Sequence, residues 1–110
     1  MEITTKEYRR VAVVSVSGRI DTLTSTQFEE TINELIEKGH FNLVMDLSEV
    51  DFLSSSGLRI LVTSRKKVRE KGGDVVMANP SQRASDSVEI AGLDKLFMSY
   101  PNREEAVGSF

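Results

Sequence analysis

Three consecutive hydroxyl side chains and a glycine, Ser54-Ser55-Ser56-Gly57, stand where a strand-like segment, Val50-Asp51-Phe52-Leu53, gives way to a helical pattern from Leu58 onward. A hydroxyl at a helix start accepts a hydrogen bond from a backbone N–H that has no partner inside the helix. One serine meets that need. The remaining hydroxyls lie at the positive end of a helix dipole, which favours an added anion. From local pattern alone a plain helix cap is the commoner reading and a modifiable or anion-handling serine the rarer one, and local physics does not say which of the three serines matters.

Other groupings point less far. His40 is the only histidine, so a Ser-His-Asp hydrolase would have to recruit it from the loop after the first helix; it reads more simply as a solvated loop residue. Asp46, Glu49 and Asp51 are enough carboxylates for a magnesium site, yet strand alternation splays them, and a capping and solubilising role fits better. Arg59, Arg65-Lys66-Lys67, Arg69 and Lys71 make one helix basic. Cations near a helix C-terminus complement its dipole. A net charge of −3 and only five Phe, two Tyr and no Trp for base stacking argue against nucleic acid as a direct partner. Gly72-Gly73 follows a helix and has no Walker lysine after it, so no phosphate loop is present and ATP is not expected to bind unaided. Zero cysteines exclude disulfides and thiolate metal sites. No cofactor or metal is expected.

The elements that must position the serines follow from periodicity. Ile3 to Tyr8 and Val11 to Ser17 read as strands joined at Arg9-Arg10, the second ending at Gly18 with Arg19-Ile20-Asp21 as a turn. Thr22 to Lys38 is a helix with Phe28, Ile32, Leu35 and Ile36 on one face, its cap offered by Thr24 or a neighbour, with Gln27 three positions on available as a capping-box partner. Asn42 to Leu47 is a strand, and Ser48 to Leu53 leads into the serines. A second helix runs from about Ser56 to Lys71, a strand from Asp74 to Ala78, and a third helix from Asn79-Pro80-Ser81 to Gly92. Leu96 to Ser99 is a last strand and Asn102 to Phe110 a short terminal helix. Alternating strands and helices define an α/β fold with parallel neighbours. At 110 residues, with 39% hydrophobic and 28% charged residues, the chain reads as a single domain over residues 1–110. No segment has the ~20 apolar residues of a membrane span, and a cytoplasmic protein is expected.

Val50-Asp51-Phe52-Leu53-Ser54-Ser55-Ser56-Gly57-Leu58 resembles the signature of STAS domains, the family of bacterial anti-sigma factor antagonists and of related domains on anion transporters. Ser17-Gly18-Arg19-Ile20-Asp21 resembles a second family motif, a glycine, a variable residue, an aliphatic residue and an aspartate after the second strand. The likeness covers nearly the whole chain. It implies a STAS-like fold: a mixed β-sheet of four to five strands with about four helices packed against it.

The resemblance also implies a function. The family's regulated hydroxyl is matched here by Ser56, phosphorylated by an anti-sigma factor that is a serine kinase using ATP and magnesium. The unmodified antagonist binds that kinase and frees the sigma factor, and a serine phosphatase reverses the mark. The protein would then be a kinase substrate and no enzyme. Asp21 matches an aspartate implicated in contact with the kinase and its nucleotide. Gly57 would allow close approach to Ser56, or merely permit a backbone turn. Many antagonists carry aspartate where Ser54 stands, so one acidic contribution to partner choice is missing. Ser55 is a second acceptor or simply the cap, and Arg59 would lie beside the partner surface. The alternative is a STAS subunit of a stress-sensing or lipid-transport complex without a sigma-factor role.

Overall fold

The computed structural model describes all of residues 1–110. In chain order the elements are β1 (Glu2–Glu7), β2 (Ala12–Ile20), α1 (Ser25–Glu37), β3 (Asn42–Leu53), α2 (Ser55–Arg69), β4 (Asp74–Ala78), α3 (Gln82–Ile90), β5 (Ser99–Tyr100) and α4 (Arg103–Gly108). The strands lie in one sheet in sequence order. The β1–β2 pair is antiparallel, and β2 through β5 run parallel. The sheet is therefore mixed, as expected of an α/β fold in which tight hairpins join antiparallel neighbours and helical crossovers join parallel ones.

Period-two alternation splits the strands between two apolar layers. Ala12, Val14 and Val16 of β2, Leu43, Met45 and Leu47 of β3, and Val75 and Met77 of β4 face the larger layer. They meet Phe28, Ile32 and Leu35 of α1, Ile60, Leu61 and Val68 of α2, and Ala84 and Val88 of α3. The in-between residues Val11, Val13, Val44, Val76 and Ala78 form a thinner layer that α4 closes with Ala106. Both faces of the central strands are buried, which is why they read as near-continuous apolar runs.

Four boundaries differ from the sequence reading. β2 does not stop at Gly18: that residue adopts φ +92, the register shifts between Gly18 and Arg19, and pairing resumes at Arg19↔Phe52 and Ile20↔Leu53. Glycine absorbs a bulge there that most residues would strain to adopt. β3 accordingly extends to Leu53 rather than Leu47, since the prolonged β2 gives it something to pair with. α1 begins at Ser25, and Thr24 makes no side-chain cap bond, so the capping box with Gln27 does not form. The last strand is Ser99–Tyr100, following a turn in which Leu96 N–H donates to Leu93 O and Phe97 is buried.

Under α4, Asp46 of β3 is buried and paired with Arg103, whose Nη2 also donates to Ser15 Oγ at 2.6 Å. Burial pushes the Asp46 carboxyl up, but the bonds from Arg103 and Ser48 outweigh it and hold the group below the usual carboxylate range. Asp46 therefore ties α4 to the sheet. Glu49 and Asp51 stay exposed, and the three carboxylates do not converge.

Candidate functional site

The two sequence motifs meet at one end of the sheet because β2 and β3 finish side by side. Ile20 pairs with Leu53, and the Ser54 N–H donates to Ile20 O at 2.9 Å. Asp21 and the serine turn are thus each one residue beyond paired strand ends.

Ser54 is the N-cap of α2. Its backbone is extended, and its Oγ accepts the Gly57 N–H at 3.2 Å. The same Oγ lies 2.7 Å from Ser56 Oγ, so the hydroxyls of Ser54 and Ser56 hold each other. Ser56 is half-buried, whereas Ser55 is exposed and its hydroxyl has no hydrogen-bond partner in the chain. The first turn of α2 carries no acidic residue, and Lys66, Lys67 and Arg69 complement its far end. An anion added at this helix start meets no local carboxylate on the helix.

Gly57 sits in helical backbone and is buried. A Cβ there would come within 2.7 Å of Leu53 Cδ1 and 2.8 Å of Ile20 Cγ2. Glycine is needed neither for a turn nor for external access: it lets α2 settle onto the two strand ends. Packing in the interior thereby fixes where the exposed hydroxyls stand.

Asp21 builds the neighbouring turn. Its Oδ1 accepts the N–H groups of Leu23 and Thr24, both at 3.0 Å, and Thr24 Oγ1 accepts the Asp21 N–H at 2.9 Å. Thr24 thus turns its hydroxyl back into this loop, lying 2.7 Å from Arg19 O, and does not cap α1. The Thr24 backbone bond leads the contacts that lower the Asp21 carboxyl below its ordinary range, working against partial desolvation. Asp21 Oδ2 remains turned outward, 3.7 Å from Arg19 Nε.

Two residues at this end of the sheet were missed by sequence reasoning, Arg19 and Leu23. The Arg19 guanidinium lies over the Phe52 ring, 4.2 Å from its centroid, and joins the two strand ends on the outside. Leu23 is 89% exposed at the tip of the Asp21 turn. It falls before the Phe28–Ile32–Leu35 stripe, a displacement that was visible as an apolar residue with no helical partner. Arg59, which the resemblance sets beside the partner surface, is exposed one turn into α2 and has no carboxylate within ion-pair distance.

The structure separates His40 from this site. Its Nε2 lies 2.8 Å from Glu7 Oε1, beside Lys38, just before β3 begins, while the serines follow the end of that strand. A hydrolytic triad of Ser56 and His40 is ruled out by that distance. Arg65 and Arg69 of the basic helix share Asp74, with Nε to Oδ1 at 3.3 Å and Nη1 to Oδ2 at 3.7 Å. No helix is long and apolar enough to cross a membrane.

Comparison with known proteins gives the class to which this fold and serine turn belong. The family model of the STAS domain matches residues 2–106, and the chain belongs to that family. The anti-sigma-F factor antagonist RsfB of Mycobacterium tuberculosis is 35% identical over 107 residues, covering 96% of this chain and 85% of RsfB. The crystal structure of an anti-sigma factor antagonist from Mycobacterium paratuberculosis is 37% identical and superimposes with a TM-score of 0.82, over 98% of this chain and 92% of that one. SpoIIAA shares the fold at 19% identity in its unphosphorylated form, with a TM-score of 0.86 over 98% and 95% of the two chains. Its phosphorylated form gives 0.78 at 20% identity, over 98% of each chain. These antagonists are regulatory binding proteins, not enzymes.

Proposed function

We propose that this protein is an anti-sigma factor antagonist acting in the cytoplasm: it binds an anti-sigma factor serine kinase, releases the sigma factor, and is switched off by reversible phosphorylation in the serine turn. ATP and magnesium belong to the kinase, and a phosphatase restores the binding form. The observation that carries this reading is the exposed, unbonded hydroxyl of Ser55 at the first position of α2, beside a neighbour pair that holds itself. The resemblance points to Ser56. Geometry favours Ser55, because a kinase must deprotonate and reach the acceptor oxygen, and the Ser56 hydroxyl is half-buried and engaged by Ser54. Asp21, Arg59 and the cap residue Ser54 frame the same surface, and Gly57 keeps it in place from below. That SpoIIAA is known in both phosphorylated and unphosphorylated forms supports the switch.

A phosphate adds about −1.5 to −2 charges. A favourable helix N-terminus returns ~0.3–1 kcal/mol, or ~2 at best. Burying that charge against a partner lacking cations costs several kcal/mol, on the scale of the ~5.5 kcal/mol that inverts a 99:1 population. The phosphate therefore leaves the fold intact and makes the bound state repulsive. Incubation with ATP, magnesium and an extract of the source cells, followed by fragment mass spectrometry, tests the proposal. Phosphate on Ser55, lost in Ser55→Ala and retained in Ser56→Ala, is the expected result. Phosphate on Ser56 alone returns the acceptor to the position implied by resemblance, and no phosphate with a demonstrably active extract removes the switch.

A further inference from the structure

The sheet has one long open edge. β1 pairs only with β2, is six residues long, and is exposed along most of its length. The other edge strand, β5, has two residues. The hairpin between β1 and β2 shows which β1 backbone groups are free. The Tyr8 N–H donates to Val11 O at 2.8 Å, continuing the register Glu7↔Ala12, so Tyr8, Lys6, Thr4 and Glu2 bond inward. By antiparallel alternation, the N–H and C=O groups of Ile3, Thr5 and Glu7 point outward.

We infer that this edge is a docking surface for a second copy of the chain, the two β1 strands pairing antiparallel about a twofold axis at Thr4. Only that registration pairs the outward groups of Ile3 with those of the partner's Thr5 while setting Glu2 opposite the partner's Lys6. Its symmetry repeats both pairs. Shifting the axis to Thr5 places Glu2 opposite the partner's Tyr8, and an axis between Thr4 and Thr5 sets Glu2 against the partner's Glu7. Charged residues on an edge ordinarily repel foreign strands. Here the same charges select the strand's own sequence. Neither Glu2 nor Lys6 has an ion-pair partner in its own chain, and Lys6 Nζ rests 5.5 Å from the Tyr8 ring centroid. Opposite charges facing each other across non-hydrogen-bonded positions stabilise a strand pair, and like charges oppose it. The twofold places the serine turns at opposite ends of the doubled sheet, leaving both open to partners.

Sedimentation equilibrium over a concentration series tests this. The wild type moves from the 12.3 kDa monomer toward twice that mass as concentration rises. Lys6→Glu abolishes the shift, and the double variant Glu2→Lys/Lys6→Glu restores it. Thr5→Pro also abolishes it with an unchanged far-ultraviolet dichroism spectrum, because the lost N–H serves no bond within the chain. If the proline variant does not fold, the charge reversal and its rescue decide. A monomer at every concentration, or a dimer that tolerates Lys6→Glu, overturns the inference.

Discussion

Two helices of this protein start in the same way and end up with different jobs. α2 begins Ser54-Ser55-Ser56-Gly57 and α3 begins Ser81-Gln82-Arg83-Ala84. Both cap serines have extended backbones, and both accept the N–H of the residue three positions on, at 3.2 Å from Gly57 and 3.1 Å from Ala84. They differ in what the cap hydroxyl does next. Ser81 Oγ donates inward to Val50 O, which fastens α3 to the far half of β3. Ser54 Oγ turns sideways to Ser56. The first turn of α3 carries the long side chains of Gln82 and Arg83, the former bonded along the helix to Asp86 Oδ1 at 2.8 Å, whereas that of α2 begins with two serines. A cap that is closed into the scaffold holds a helix; one left open, with small neighbours, makes the same backbone geometry an approachable surface.

The third position separates the two starts most sharply. Ala84 is fully buried with its methyl accommodated, while a methyl at Gly57 would overlap Ile20 and Leu53. Gly57→Ala should therefore cost about 1–3 kcal/mol, as overpacking does, measured as a fall in the urea midpoint at constant slope. An unaffected midpoint would mean that α2 floats on the strand ends, and that the hydroxyls are not fixed by packing. The caps themselves come next. Ser81→Ala removes a cap and an inward bond and should cost about 2 kcal/mol, against about 1 kcal/mol for Ser54→Ala. Equal losses would erase the distinction between a closed and an open cap.

This distinction explains what could be read in the sequence. The serine turn, the Asp21 motif, the α/β alternation and the apolar faces of α1 and α2 were legible, because each is carried by contiguous or periodic residues. The length of β3 was not. Its alternation is broken by the register shifts opposite β2, and Asp46 in its middle is buried only because Arg103, at the far end of the chain, comes back to meet it. The job of Gly57 was equally hidden, being set by how closely Ile20 and Leu53 approach it. The proposed preference for Ser55 over Ser56 rests on the contact of Ser54 Oγ with Ser56 Oγ, a matter of side-chain geometry that residue types do not encode.

The smallest expected effect concerns the turn beside the open cap. Asp21 holds its loop through a carboxylate, not a hydroxyl, so this half of the surface should respond to acid while the serine half does not. Its carboxyl is lowered chiefly by the Thr24 backbone N–H, so the folded state binds that proton less readily than the unfolded chain. The resulting stability is present in full above the unfolded aspartate value of about 3.9. It is lost as pH falls through the lower folded value. Asp21→Asn keeps an oxygen to accept from Leu23 and Thr24 but cannot titrate in this range. Subtracting urea midpoints of Asp21→Asn from those of the wild type cancels the other lowered carboxyls, Glu7 beside His40 and Asp46 beside Arg103. The difference should be constant from neutrality to about pH 5 and should shrink on further acidification, in a window bounded above by the free aspartate value. A difference independent of pH would show that the Asp21 loop is held by its backbone and by Thr24 alone, leaving the carboxylate free to serve the partner surface.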